Sequence, residues 1–361
     1  MSPAFLRAAS YGRAERAVLH LATRSSQSGH LHTFGLTAEG CELLGSTAID
    51  SFAAFATHPV LPVLYLARDC NQWQNLPRGV IETYALHSGI RPLRLLSQTP
   101  MALSATGPRS IAVASCGRHL LVSASTGGAW NAFSLDDDGI PDSVAMTRKE
   151  TGHATNLQTV ALPTPHGLAF SPHELFAVGT DPGSRRMTLL RPSPTEIEVL
   201  TRWETTDGLA PLAPAWTADA RYVIAANAQT ASLSVYEIRT VPENKAGIYL
   251  LGNVQTTTPI RALIAHPSEP AVFTSRPQGV GSRVEVWKLH GSHLRLAGDA
   301  WISGDVAALA QQFGYLWAAT DGRLTRMSMR DLRDIRPFEV PLHGSQAIII
   351  QDAITHRFAN V

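Results

Sequence analysis

Residues 162–190 read LPTPHGLAFSPHELFAVGTDPGSRRMTLL, and the punctuation of this stretch decides the fold. Three short apolar runs, 168–170, 175–178 and 187–190, are separated by a Ser171-Pro172-His173-Glu174 turn and an Asp181-Pro182-Gly183 turn. Apolar runs of this length, bounded by Pro, Gly and Asp, predict successive antiparallel strands. Two polar residues stand at the ends of the first hairpin: His166 before its first run and Asp181 after its second.

The unit recurs on both sides. Upstream copies cover 52–86 and 111–135, and downstream copies cover 213–238, 260–289 and 306–329. The place of His166 is taken in turn by Ala53, Arg109, Leu212, Arg261 and Val306, and finally by Ser345 ahead of an isolated run, 346–351. Units of three to four strands at intervals of about 40–57 residues predict a β-propeller. Six complete units and one split unit make an all-β, seven-bladed β-propeller. The split blade takes its innermost strand from 346–351 and the others from 17–36, with 43–47 as a candidate third. Such closure leaves no open sheet edge between the chain ends. The expected organisation is an N-terminal lead (1–16), the propeller (17–352) and a C-terminal tail (353–361). A pair of β-sandwiches is the competing architecture. Only 323–333 has any helical character.

Bulk properties narrow the function. With 44% hydrophobic and 16% charged residues and a net charge of +1, the chain lacks the basic excess that nucleic acid or an anionic membrane surface demands. No apolar run approaches the roughly 20 residues of a membrane span. The first residues lack the apolar core of a secretory signal. Cys41, Cys70 and Cys116 are read as reduced, buried thiols of a cytoplasmic protein.

In a propeller, the start of each inner strand and the end of each second strand meet at one face of the central channel. One ring there holds Ala53, Arg109, His166, Leu212, Arg261, Val306 and Ser345. The other holds Arg68-Asp69, Ala124-Ser125, Asp181, Asn227-Ala228, Ser275-Arg276, Thr320-Asp321 and Thr23-Arg24. Arginines present paired donors to carboxylates and phosphates, and a histidine moves a proton near neutral pH. This set suits a small acidic substrate, with Arg109, Asp181, Asn227, Arg261 and Asp69 as binding residues. Each residue also has a plainer reading. His166 fits a hydrogen-bonded turn, Asp181 ahead of Pro-Gly fits a turn former, and the arginines fit loop braces or solvated side chains. His30 and His32 share a strand face and form the one candidate ligand pair, too few for a metal site. No phosphate-cradling glycine loop, dinucleotide fingerprint or Gly-x-Ser-x-Gly elbow occurs, so no cofactor is expected.

The repeats resemble the bacterial seven-bladed lactonase family, whose members include 6-phosphogluconolactonases and carboxy-muconate cyclases. The resemblance covers about residues 17–352. It is carried by Gly107-Pro108-Arg109-Ser110 with Gly127-Gly128, by Asn156 and Gln158 ahead of Pro165-His166, and by 168–181. Further stretches are 227–236 and His266-Pro267 through Ser275-Arg276 to Val286. It implies a metal-independent enzyme that opens or forms the lactone ring of a sugar-acid or muconate-type substrate, as hydrolase or cycloisomerase, with His166 and Arg276 catalytic. Where the family often has a second histidine, an arginine before Gln158, and a Gly-Pro-Arg-His-like entry, this chain has Thr164, Leu157 and Ala210-Pro211-Leu212-Ala213; an Asn-Glu pair is Asn227-Ala228. Some related propeller lactonases hold calcium with Glu, Asn and Asp. Asp69, Asp181, Asn227 and Asp321 have no Glu beside them in the rings, so no metal is expected. The alternative is a non-catalytic binding module or scaffold on a lactonase frame.

Overall fold

The computed structural model describes residues 17–24, 29–36, 41–49, 53–86, 93–154, 160–173, 175–205, 208–240, 246–312, 314–340 and 345–352. The expected lead and tail lie outside these residues, as do Asn156, Leu157 and Gln158. Seven four-stranded antiparallel sheets form the blades, with one small two-stranded sheet, His153–Ala154 with Val160–Ala161, between blades 3 and 4. The inner strands are Ser345–Asp352, Ala54–Thr57, Pro108–Val113, Leu168–Phe170, Pro211–Trp216, Ala262–Ala265 and Ala308–Gln312, for blades 1 to 7. Consecutive inner strands abut one another, and Ser345–Asp352 touches those of both blade 7 and blade 2. The chain is a closed seven-bladed propeller.

Blade 1 is the seam. Its outer strands Cys41–Ile49, Gly29–Leu36 and Ala17–Arg24 come from the start of the chain, and Ser345–Asp352 pairs antiparallel with Ala17–Arg24, Asp352 opposite Ala17 and Ser345 opposite Thr23. Residues of neighbouring blades bury each other. Leu31 packs with Phe55, Leu64 and Leu66 of blade 2, and Leu19, Leu21 and Phe34 pack with Trp317 and Leu324 of blade 7. Removal of such apolar area from water is the main term holding the ring together. Close approach is sometimes a glycine's doing. A Cβ on Gly179 of blade 4 would meet the Trp130 ring of blade 3 at 2.6 Å, so the fully buried Trp130 lies flat against bare backbone.

Four features depart from the sequence expectation. Residues 323–328 form a strand, Arg323–Ser328, not a helix. Leu324, Thr325, Arg326 and Met327 in it are all buried, because a third strand is covered on both faces and shows no two-residue alternation. The outermost strands, such as Leu93–Pro100 and Ile197–Glu204, were not legible, since an edge strand mixes exposed and half-buried residues. The seven tryptophans, spread among the repeats, read from sequence as packing between sheets, yet Trp301 is 52% exposed on the outer strand of blade 6. The blade 2 hairpin, Val63–Trp73 with Leu76–Leu86, runs well past Asp69, so Arg68 and Asp69 lie mid-strand.

Candidate functional site

The antiparallel pairing builds the site. Where each second strand returns beside the start of its inner strand, one backbone bond recurs. The N–H of Ala53, His166, Arg261 and Ala307 donates to the carbonyl of Ala67, Thr180, Ser275 and Ala319, respectively, at 2.7–3.1 Å. Blade 7 therefore contributes Ala307, one residue later than expected, and Val306 is fully buried. The residue after each of these carbonyl acceptors is Arg68, Asp181, Arg276 or Thr320, so both rings share one face of the channel.

His166 is half-buried there. Burial lowers its imidazole below the usual histidine range, the nearby Arg109 guanidinium lowers it further, and a bond to the Leu212 carbonyl works in the opposite direction. An imidazole that donates one N–H to a carbonyl keeps its other nitrogen as the acceptor. Around neutral pH His166 is thus uncharged, with one nitrogen able to take a proton. Arg109 is exposed, and its Nε donates to the Ser125 hydroxyl at 3.1 Å. Arg261, three blades away, is exposed as well. Leu212, half-buried, lies between these cations in the ring.

A family model described as lactonase, 7-bladed β-propeller, matches residues 18–241. The chain belongs to this lactonase family. No curated protein matches the sequence. The fold is similar to that of the periplasmic gluconolactonase PpgL of Pseudomonas aeruginosa, at 13% identity, TM-score 0.76, covering 93% of this chain and 99% of that one. A Bacteroides fragilis protein provisionally named a 6-phosphogluconolactonase gives 13% identity and TM-score 0.75, with 93% and 98% covered. The propeller domain of Myceliophteria thermophila Cps50 (Swd1) is also similar, at 12% identity and TM-score 0.59, with 91% and 90% covered. At these identities the likeness is one of fold.

Other members of the two rings of this lactonase-family chain are engaged by neighbouring protein groups. Arg276 is buried and ion-paired to Glu285 on the next strand, Nε to Oε1 at 2.9 Å and Nη2 to Oε1 at 2.8 Å, and its Nη1 donates to the Thr257 hydroxyl at 2.5 Å. Blade 2 repeats the device: Arg68 Nε donates to Glu82 at 2.8 Å. Asp181 is fully buried and accepts from the backbone N–H of Thr164 and Ser184 at 2.8 and 2.9 Å, the geometry of a turn anchor. Burial pushes its carboxyl up, the N–H groups of Ser184 and Thr164 pull it down, and Glu150 adds a further upward push. The Asn227 side-chain amide donates to the hydroxyls of Ser232 and Ser234 at 3.0 and 2.9 Å. Asp69 is exposed and accepts from the Gly107 N–H at 2.8 Å, bracing the entry to blade 3. Arg109, His166 and Leu212 are therefore brought together, whereas Arg276 is engaged by neighbouring protein atoms and Asp181 and Asn227 are engaged through Oδ1 and the amide nitrogen only, their buried Oδ2 and Oδ1 having no hydrogen-bond partner among the described residues. Among the described residues no three His, Cys, Asp or Glu side chains converge as metal ligands, and no helix is long and apolar enough to cross a membrane.

Sequence reasoning missed two groups. One is Glu150, whose buried carboxylate takes bonds from Arg186 at 3.2 Å, Arg202 at 3.1 Å and Trp130 at 2.8 Å, tying blade 3 to blade 4. The other is a set of hydroxyls immediately before the second ring: Ser123, Thr180 and Ser275 donate across the blade boundary to the carbonyls of His166, Leu212 and Val306, at 2.5, 2.7 and 3.0 Å. The signal was present in the repeat alignment, where that position holds Ser or Thr in blades 3, 4 and 6 and Ala in blades 2, 5 and 7 (Ala67, Ala226 and Ala319).

Proposed function

We propose that this protein opens the lactone ring of a small acidic substrate, a sugar-acid or muconate-type lactone, without a metal. The observation that carries the reading is the half-buried His166 at the start of its inner strand, facing the Leu212 carbonyl on one side and the exposed Arg109 on the other, in surroundings that favour the uncharged imidazole. Water adds its oxygen to the lactone carbonyl carbon as His166 takes its proton. The oxyanion that forms is stabilised by Arg109. The ring C–O bond then breaks, and the imidazolium returns the proton to the leaving alkoxide, giving the hydroxy acid. Arg261 supplies a second cation for the substrate's acidic group, while Arg276, tied to Glu285, shapes the wall of the face. The same groups serve ring closure in reverse. Metal independence rests on the donor set, which among the described residues offers no convergent carboxylates at this face. We place the protein in the cytoplasm because its three cysteines are free thiols, half-buried at Cys41 and Cys70 and, against the sequence expectation of burial, exposed at Cys116; cell fractionation tests this.

The test is a panel of sugar lactones and muconate-type diacids assayed with and without chelator. Turnover is expected to survive chelation and to fall about 10²–10⁴-fold in His166→Ala, the usual range for a lost acid–base group. Arg109→Ala is expected to lose a similar factor through the oxyanion. Turnover abolished by chelator, or untouched in His166→Ala, overturns the mechanism. A second reading has its own observation: Leu212, Ala213 and Ala228 line positions where a carboxylate could be oriented, and Arg276 is already paired. Phosphorylated or dicarboxylic acids that bind at Arg109 and Arg261 without any turnover would favour a binding module.

A further inference from the structure

We propose that Ser123 and Thr180 are positioning residues for His166, fixing its backbone and the carbonyl its imidazole rests on. This inference rests on the reading of His166 given above, but its structural half stands apart from any reaction. Both hydroxyls are fully buried, where an unmade hydrogen bond is costly and a made one is rigid. Ser123 Oγ accepts the N–H of Ser110 at 2.9 Å and gives its proton to the His166 carbonyl at 2.5 Å. Thr180 Oγ1 accepts the N–H of Gly167 at 2.9 Å and gives its proton to the Leu212 carbonyl at 2.7 Å. Each hydroxyl therefore uses one lone pair and its only proton to bridge two strands.

The consequence is concentrated on three residues. The His166 N–H is held by the Thr180 carbonyl at 2.7 Å, its carbonyl by Ser123, the Gly167 N–H by Thr180, and the Leu168 N–H by Ser110 Oγ at 3.3 Å. Gly167 is required for this fit, since a Cβ there would meet the Leu212 oxygen at 2.4 Å and Thr180 Oγ1 at 2.8 Å. The Leu212 carbonyl is thus fixed by the Thr180 hydroxyl and faces the His166 ring. Its position decides which imidazole nitrogen carries the proton, and so which one is left to act as base. Ser275, at the same place in blade 6, makes the corresponding bond to Val306 with no histidine to orient. It is the natural control.

The experiment compares Ser123→Ala, Thr180→Val, Thr180→Ser and Ser275→Ala in the full chain. The ring-nitrogen shifts of His166 are followed by NMR through a pH titration, with melting temperature and lactone kinetics alongside. Wild type is expected to show one tautomer, and so are Thr180→Ser and Ser275→Ala. Ser123→Ala and Thr180→Val are expected to show a mixture and a displaced titration midpoint. Where turnover is measurable, kcat is expected to fall about tenfold or more with KM changed less than about twofold, as misorientation of a base predicts. A single unchanged tautomer and midpoint in both Ser123→Ala and Thr180→Val overturns the proposal, as does an equal disturbance in Ser275→Ala, which would mark all three as mere staples. If one variant does not fold, the other decides. A wild type without turnover on any lactone would overturn the enzymatic reading while the NMR comparison still judges this one.

Discussion

Removal of residues 345–361 is expected to abolish the cooperative native state, seen as loss of the melting transition or of soluble protein. The deletion takes away the inner strand of blade 1. The strand Ala17–Arg24, paired from Ala17 to Thr23 with Ser345–Asp352, becomes an open edge. The inner ring loses the member that touches both blade 7 and blade 2, so the buried faces around Leu19, Leu21, Phe34 and Leu31 lose cover. An open edge beside apolar surface promotes association instead of folding. Register offers a rescue. Because Asp352 lies opposite Ala17, placing 345–352 ahead of residue 17 through a short turn makes the same pair as a hairpin, and a chain so permuted should melt like wild type. A truncated chain that melts within about 2 °C of wild type, about 1.5 kcal/mol for a chain of this size, would show that the seam does not hold the propeller closed.

Acid is expected to open the same blade. His20 is buried with its Nδ1 3.2 Å from the Thr33 hydroxyl, and His32 is buried with its Nε2 3.0 Å from the Thr23 hydroxyl. No carboxylate compensates a proton on either. Burial holds both at about 4, with His30 adding to the effect on His32. Their folded values lie below the unfolded value near 6.5, so between these limits the unfolded chain binds more protons than the folded one. The stability they provide is whole above pH 6.5 and is lost as pH falls from 6.5 toward 4. Two to three pH units are worth on the order of 3 kcal/mol for a fully buried histidine such as His20. Burial also lowers His58, His119, His166 and His266, which lose stability in the same direction. The melting temperature should therefore drop steeply between pH 6.5 and 4.5, and the drop should be shallower in His20→Gln/His32→Gln. An identical acid profile in that double variant would place the acid-labile element outside blade 1.

Much of the architecture was legible in the chain because a propeller is built from local hairpins. The runs around 168–190 and their copies are each closed by turns a few residues long, and turn chemistry is written in adjacent residues such as Asp181-Pro182-Gly183. The orphan run before Gln351 forced closure, since an inner strand cannot stand without a sheet. The outermost strands were not readable, because half-exposed edges such as Leu93–Pro100 carry no clean period. Ring membership followed from counting along the repeat, and that placed Arg109, His166, Leu212 and Arg261 on one face. What counting could not supply was the direction and engagement of each side chain. Arg276 and Arg109 look alike in sequence, yet Glu285, nine residues on, captures the first, while the second has only the Ser125 hydroxyl. Asp181 Oδ1 and the Asn227 amide nitrogen are likewise taken by neighbours one turn or one strand away. Ser123 and Thr180 gained their role from carbonyls 43 and 32 residues away, across blade boundaries that exist only when the ring is closed. Backbone hydrogen bonds within a hairpin are local and so are fixed by the sequence. A buried side chain's partner is chosen by packing between blades, and that choice belongs to the tertiary structure.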